Sequence, residues 1–160
     1  MEWIVHLPND PSLVRTIAGW HQQAWGRLTG RSVEERIREF DPHLESRRIP
    51  LTLVAFLAGA PVGSVSLLPE DMETHPDLTP WLGSLFVLPG QRRRGIGGRL
   101  CRRAMAEAGR LGVEMLYLFT EDRAPFYAEM GWEELARERY RELPVTLMRL
   151  ALGTRAGAVS

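Results

Sequence analysis

The 160-residue chain contains no lysine: its 20 basic residues are all arginine, and 20 acidic residues balance them. A neutral chain gives no reason to expect a nucleic acid or a membrane surface as a partner. The absence of lysine excludes modification of the chain's own lysine side chains. The single cysteine, Cys101, excludes an intramolecular disulfide and a cysteine-based metal site, and we expect no bound metal.

Long apolar runs are also missing. No run approaches the roughly 18 residues that a membrane-spanning helix needs, and the first residues lack the pattern of a signal peptide. The apolar share of 44% and the charged share of 25% are ordinary for a soluble protein, and the length suits one domain with one core. We therefore expect a cytoplasmic protein with one domain over residues 1–152 and a mobile tail over residues 153–160.

The hydrophobic pattern predicts a mixed α/β (α+β) domain. A short strand comes first, followed by a helix capped at Asp10–Pro11. A second helix begins at Ser32, with Glu35 at capping-box spacing, and Asp41–Pro42 is expected to interrupt it. The other predicted elements are, in order, the hairpin LTLVAFLAGAPVGSVSLL with its turn at Gly59 to Pro61, the strand WLGSLFVL, a helix from Gly97 to Arg110, the strand VEMLYLFT, a short helix in EDRAPFYAEMG and the strand PVTLMRLAL.

The segment VLPGQRRRGIGGRL, residues 87–100, joins a predicted strand directly to a predicted helix. The free amides and the dipole of a helix N-terminus favour an anion at such a joint. Gly95, Gly97 and Gly98 remove side chains where a phosphate would contact the backbone, and the arginines add charge-assisted hydrogen bonds. The joint therefore predicts a phosphate-binding loop.

Other interpretations of this joint fit less well. In a Walker A loop, lysine and Ser/Thr follow the second glycine, but here Ile96 and Gly97 follow Gly95. A dinucleotide fingerprint needs a third glycine where Leu100 stands. A basic patch for nucleic acid would carry interleaved aromatic residues, and a flexible linker would not abut a strand and a helix.

Two motifs resemble those of the GNAT N-acetyltransferase superfamily. Arg92-x-x-Gly95-x-Gly97 is similar to its R/Q-x-x-G-x-G/A signature, and APFYAEMGW, residues 124–132, resembles its second hallmark. The order of predicted elements agrees with that fold over nearly the whole chain. The resemblance implies the GNAT fold, a central, mostly antiparallel sheet with a splayed parallel strand pair, flanked by helices.

The resemblance also implies acetyl-CoA as cosubstrate. The backbone of the strand before the loop would pair with the pantetheine arm, as an added strand does. Amides and arginines of the loop would hold the phosphates, and Thr120 stands where relatives often place asparagine. The implied cofactor-binding residues are Leu85, Phe86, Val87, Arg92, Arg93, Arg94, Gly95, Ile96, Gly97, Gly98 and Thr120.

By the same resemblance, the activity is direct transfer of acetyl to a primary amine, either a peptide N-terminus or a small molecule. The alternative is a catalytically weak acyl-CoA-binding or regulatory module. Tyr127 matches the tyrosine that acts as general acid towards the leaving thiolate, although it could also be an aromatic packed under a short helix. Cys101 is expected to be a buried structural thiol.

The general base is open, because the strand before the loop offers only Ser84 where many relatives carry glutamate. The candidates lie upstream: Glu70, Asp71, His75 and Asp77. Each could activate a water, and each is also the kind of residue found solvated in a loop. Without a base, an α-amine is favoured as acceptor, because neutralising it at pH 7 costs roughly 1 kcal/mol against roughly 4–5 for a lysine-like amine.

Acceptor specificity is expected to come from three segments that are far apart in the chain: GRLTGR, EDMETHPDLTP and ARERYRELP. Trp81, Trp132 and Tyr140 could line the cleft or pack in the core, and packing is the interpretation we favour for Trp81. A homodimer is compatible with the fold, but nothing in the sequence fixes the oligomeric state.

Overall fold

The computed structural model describes residues 1–153, so residues 154–160 of the predicted tail lie outside the described residues. The elements are β1 (Glu2–His6), α1 (Pro11–Thr29), α2 (Val33–Glu39), β2 (Leu51–Leu57), β3 (Ala60–Leu68), β4 (Trp81–Val87), α3 (Ile96–Arg110), β5 (Met115–Thr120), α4 (Ala124–Ala128), β6 (Glu133–Tyr140) and β7 (Leu143–Ala151). One seven-stranded sheet has the order β1-β2-β3-β4-β5-β7-β6. Among the described strands, only β4 and β5 pair in parallel, so the predicted fold class is confirmed.

Local signals place the first two helices. Asp10 accepts hydrogen bonds from the first amides of α1, and Pro11 is its first residue. Ser32 and Glu35 form the predicted capping box of α2. The helix ends at Glu39, and a single 3₁₀ turn follows over Asp41–His43, as the proline at position 42 requires.

Strand β6 was not predicted, and this is the main correction to the secondary structure. Five of its eight residues are charged, so it shows no hydrophobic alternation. It lies at the edge of the sheet and pairs only with β7, where charged side chains reach water and discourage pairing with other chains. Several boundaries also differ by one or two residues: α3 begins one residue early, at Ile96, the hairpin turn lies at Ala58–Gly59, and β5 begins at Met115.

Helices cover both faces of the sheet. Helix α3 packs one face through an apolar stripe that includes Leu100, Cys101 and Ala104, all fully buried. Helices α1 and α2 pack the other face, where Phe86 of β4 joins their cluster. The buried Cys101 thiol and the fully buried Trp81 agree with the predictions for both residues. Within residues 1–153, no helix has the length and apolarity to cross a membrane, and no group of side chains is arranged to hold a metal.

Candidate active site

Strands β4 and β5 meet at one end and then separate. Their parallel pairing is recorded only at Trp81 opposite Tyr117, whereas each other neighbouring pair of strands is in register over at least five positions. Beyond Trp81, the residues of β4 pair with β3 alone. The splayed pair is therefore present, and Leu85, Phe86 and Val87 border the gap that it opens.

A bulge at Ser84 turns β4 as the gap opens. The register with β3 shifts here, and Ser84 has a left-handed φ of 55°. Phe86 then stacks on Trp20 of α1, with ring centroids 5.4 Å apart. Leu85 and Val87 instead pack with the cluster on the α3 face.

The glycine–arginine loop, residues 91–98, leads from β4 into α3. Arg93 has a φ of 67° and Gly95, the N-cap of α3, has a φ of 81°, so two left-handed residues turn the chain into the helix. The first amides of a helix have no partner within it, and here they belong to Ile96, Gly97 and Gly98. This is the strand–loop–helix geometry that favours an anion.

Gly97 lies where the loop meets the gap. A Cβ added there would lie 3.7–3.9 Å from side chains of Val87, Phe126 and Leu85, which is ordinary contact distance. The packing of the protein therefore does not itself require glycine at this position. The missing side chain leaves the helix N-terminus open to a group that approaches the backbone closely.

The arginines of the loop differ in their partners. Arg92 donates through Nε to the Val87 carbonyl at 2.8 Å and lies over the Phe86 ring, so it fixes the loop to the end of β4. Arg93 and Arg94 are exposed and form no ion pair with any residue in the described range. Two cationic side chains therefore remain available beside the free amides.

Tyr127 and Thr120 lie on the other side of the gap. Tyr127 is 7% exposed, its ring contacts Trp132, and burial raises the pKa of its phenol. Its hydroxyl has no hydrogen bond to a described residue, and Cys101 is close enough to raise the same pKa further. Thr120 Oγ1 accepts a hydrogen bond from the Arg123 amide at 3.0 Å, so this hydroxyl fixes the turn that leads into α4.

The α1–α2 cavity, of about 320 Å³, lies on the opposite face of the sheet, beside the bulge. Helices α1 and α2 form one wall, and β3, β4 and the segment between them form the other. Its lining residues are His21, Arg31, Arg36, Glu39, Phe40, His43, Ser66, Leu68, Glu70, Asp71, Glu73 and Ser84.

The three predicted specificity segments meet beside this cavity. Arg141, in the turn between β6 and β7, donates to the Leu28 carbonyl at 3.3 Å. The same guanidinium bonds the Glu73 carboxylate at 2.9 and 3.0 Å, and Tyr140 donates to Glu73 at 2.6 Å. Tyr140 and Trp132 are both largely buried. Segments that lie more than 100 residues apart in the chain are thus joined at one end of the sheet.

Of the base candidates, Asp71 has the most unusual environment. It is half-buried, and its carboxylate lies against β4, with Oδ2 2.7 Å from where a Cβ on Gly83 would be. Burial raises the pKa of Asp71 to about 7, although Arg31 and Arg141 act to lower it. The expectation of a solvated loop residue is therefore wrong for Asp71, because the segment folds inward around the buried Met72.

The other candidates differ from Asp71 in position. Glu70 lines the same cavity but is exposed. His75 lies outside the lining and pairs with Glu138 of β6 at 2.9 Å. Asp77 is exposed. The structure thus brings Asp71, Glu70 and Ser84 together at the cavity and leaves His75 and Asp77 outside it.

The sequence analysis missed His21 and Arg36, which line the helix wall of the cavity. The sequence contains one signal that could have identified Arg36 as a candidate. It lies three residues after Val33 and four before Phe40, which puts a charged residue on the apolar stripe of α2. His21 likewise follows Trp20 on the buried side of α1 and is 5% exposed.

Comparison with known proteins gives one family match. The model of the acetyltransferase (GNAT) domain matches residues 50–134, which include β4, the glycine–arginine loop and Tyr127. No curated protein sequence matches the chain.

Solved structures share the fold at low sequence identity. An aminoglycoside 6'-N-acetyltransferase complexed with coenzyme A is 19% identical, with a TM-score of 0.77 over 96% of this chain and 98% of that one. The yncA structure from Salmonella typhimurium, solved with its cofactor acetyl-CoA, is 19% identical, with a TM-score of 0.76 over 96% and 95%. A ribosomal-protein-alanine N-acetyltransferase from Brucella melitensis is 22% identical, with a TM-score of 0.75 over 94% and 99%.

Proposed function

Since the chain belongs to the GNAT acetyltransferase family, we propose that it transfers the acetyl group of acetyl-CoA directly to a primary amine of a small molecule or a peptide N-terminus. The observation that carries this proposal is the Asp71 carboxyl, which lines the α1–α2 cavity beside the bulge of β4. A proton acceptor and the start of the strand gap are therefore adjacent. An acetyl donor and an amine could meet there.

The residues at the gap fit acetyl-CoA. The amides of Ile96, Gly97 and Gly98 and the cations of Arg93 and Arg94 suit the phosphates. The β4 backbone from Leu85 to Val87 suits the pantetheine arm, which would pair with it as an added strand. Arg92 stabilises the loop, and Thr120, already engaged by Arg123, holds α4 in place. When bound, acetyl-CoA supplies an activated acetyl group.

In this mechanism, Asp71 accepts the first proton of the incoming ammonium group, and the neutral amine forms a C–N bond with the acetyl carbonyl. The C–S bond then breaks, and Tyr127 donates a proton to the departing thiolate. The second proton of the nitrogen replaces the one that Tyr127 gave up. A pKa of about 7 makes the Asp71 carboxylate a far better base than an ordinary aspartate. The phenol of Tyr127 is protonated at neutral pH, as that of any tyrosine is, and this is the form that a general acid needs. Burial raises its pKa, so Tyr127 is a weaker acid than an exposed tyrosine. An α-amine, with a pKa of about 8, gives up its proton to Asp71 more easily than a lysine-like amine of about 10.4.

The alternative, a regulatory module without turnover, was suggested by the missing glutamate of β4. Asp71 offers a carboxylate at the same strand from the preceding segment, which removes that reason. We therefore favour the enzyme.

Thiol release with a panel of amines tests the proposal, using Asp71→Asn and the matched control Asp77→Asn, which changes an exposed residue of the same segment. We expect Asp71→Asn to lower kcat/KM about 100-fold, as the loss of a general base does, with unchanged affinity for acetyl-CoA. Equal rates for the two variants would refute the role of Asp71. A folded wild-type protein that binds acetyl-CoA but releases no thiol with any amine would support the regulatory module instead.

A further inference from the structure

Some of the charged side chains around the α1–α2 cavity form ion pairs, and Arg36 is a cation there that forms none. Arg31 lies 3.3 Å from Glu39. Glu73 is bound by Arg141, which reaches it from the turn between β6 and β7. Arg36 is 6% exposed and forms no ion pair with any residue among 1–153. The fold therefore buries a cation at this cavity without an anion in contact with it.

Neutral side chains hold the Arg36 guanidinium in place. Its Nε donates to Gln22 Oε1 at 2.9 Å, and its Nη2 donates to Thr29 Oγ1 at 2.7 Å. Burial lowers the pKa of Arg36, yet a guanidinium stays charged in proteins. Glu39 acts on this charge without contacting it, and the effect of burial is larger. A partner from solution in direct contact with Arg36 would relieve that penalty.

His21, beside Arg36, provides a second, independent indication of a ligand-binding site. It is 5% exposed, and its Nε2 is buried without a hydrogen-bond partner in the described structure. Burial, together with the charge of Arg36, lowers the pKa of His21 to about 3. The ring is therefore neutral, and an Nε2–H would be free to donate to a ligand in the cavity.

Three acidic residues, Glu70, Asp71 and Glu73, lie on the other wall, whereas Glu39 belongs to α2 and lies on the same wall as Arg36. Asp71 lies against Gly83 of β4, and Glu70 precedes it in the same segment. The cations that lower the pKa of Asp71 are Arg31 and Arg141. Arg36 is not one of them, and it lies on the helix wall of the cavity. A cavity of about 320 Å³ with a cation on one wall and carboxyl groups on the other suits a small molecule that carries both charges.

We infer that the acceptor is a small molecule with a carboxylate as well as its amine, as a free amino acid has, and that Arg36 and His21 bind the carboxylate. This inference rests on the proposed acetyltransferase function and names its substrate class. The planar guanidinium fork matches a carboxylate, and a neutral imidazole adds a second donor. A polyamine would instead bring positive charge against Arg36.

Calorimetric titration of the CoA-bound protein tests this inference with three pairs that differ only in the carboxylate: L-alanine and ethylamine, L-lysine and cadaverine, and L-phenylalanine and phenethylamine. We expect at least one amino acid to bind about tenfold tighter than its partner amine, as a charge-assisted contact implies. This comparison uses only the wild-type protein, so its result remains valid even if a substitution at the buried Arg36 unfolds the chain. Equal or absent binding in all three pairs overturns the inference.

Arg36→Gln should abolish the preference, whereas Arg38→Gln, which changes an exposed arginine of the same helix, should retain it. If folded Arg36→Gln still binds the amino acid more tightly than the matched amine, the carboxylate binds elsewhere and the inference is overturned. Acetyl transfer is measured separately. Acetylation of the amines without a preference refutes the inference alone, while Arg36-dependent binding without acetylation refutes the proposed function and leaves the carboxylate site in place.

Discussion

The glycine–arginine loop and the α1–α2 cavity both adjoin β4, but they are built differently. The loop is one continuous segment, residues 91–98, which offers backbone amides and two unpaired, exposed arginines. The cavity draws its residues from His21 to Ser84, and three of its six charged lining residues, Arg31, Glu39 and Glu73, form ion pairs. A site that binds through backbone amides depends on one short sequence motif. A site that binds through side chains from separate segments can change its ligand when single residues are substituted.

The largest effect expected from this comparison is at the loop. Gly97→Glu places a carboxylate at the helix N-terminus, where it would exclude a phosphate group. We expect acetyl-CoA affinity to fall about 1,000-fold, equivalent to the loss of about two hydrogen bonds to a charged group. Isothermal titration measures the loss.

The control is Gly109→Glu, at the exposed far end of α3, where an added Cβ meets nothing within 4 Å. It should bind acetyl-CoA as the wild type does. Normal binding by Gly97→Glu would show that the loop is only a connection between β4 and α3.

A smaller effect is expected at Tyr127, on the far side of the gap. Tyr127→Phe should lower kcat about 100-fold, because the general acid is lost, and should leave the KM for acetyl-CoA unchanged. Stability should change little, since the hydroxyl has no hydrogen-bond partner within the described part of the chain. Steady-state kinetics are compared with Tyr117→Phe, a change to a partly buried tyrosine of β5. Equal kcat values for the two variants would make Tyr127 a packing residue only.

The smallest effect is a change in stability at the cavity. The pKa of Asp71 rises from 3.8 to about 7 in the fold, so wild-type stability falls as pH rises through that range. Asp71→Asn removes this loss. Between pH 5 and pH 8, we expect the free energy of unfolding of the variant to increase by about 2 kcal/mol relative to that of the wild type, as measured by urea unfolding. Asp77→Asn should show no such gain, and a pH-independent difference for Asp71→Asn would contradict the buried carboxyl.

The same contrast explains what the sequence could predict. The glycine–arginine loop is local: its glycines, arginines and flanking elements are adjacent in the chain. The mixed α/β class followed from the periodicity of the elements, and the splayed parallel strand pair from the resemblance that the motifs carry. Strand β6 was missed because an edge strand that is exposed to water shows no apolar alternation.

The cavity could not be predicted in this way, because burial there depends on tertiary packing. Asp71 lies in a polar stretch that is typical of a loop, and only the contact with Gly83 shows that its carboxylate is enclosed. Arg36 and His21 lie on helix faces that approach each other only after α1 and α2 dock on the sheet. The three segments predicted to give specificity meet beside the cavity, but the hydrogen bond and the ion pair that join them were not predicted.

The most direct test of the account is the pH dependence of kcat/KM for the amine at saturating acetyl-CoA, in the wild type and in Asp71→Asn. The charged groups that act on Asp71 are Arg31 and Arg141, and both lower its pKa against the effect of burial. The account predicts that wild-type kcat/KM rises with pH, with a midpoint at about 7, and that this rise is absent in Asp71→Asn. The same rise in both proteins would contradict the account, because the titrating base would then be another group.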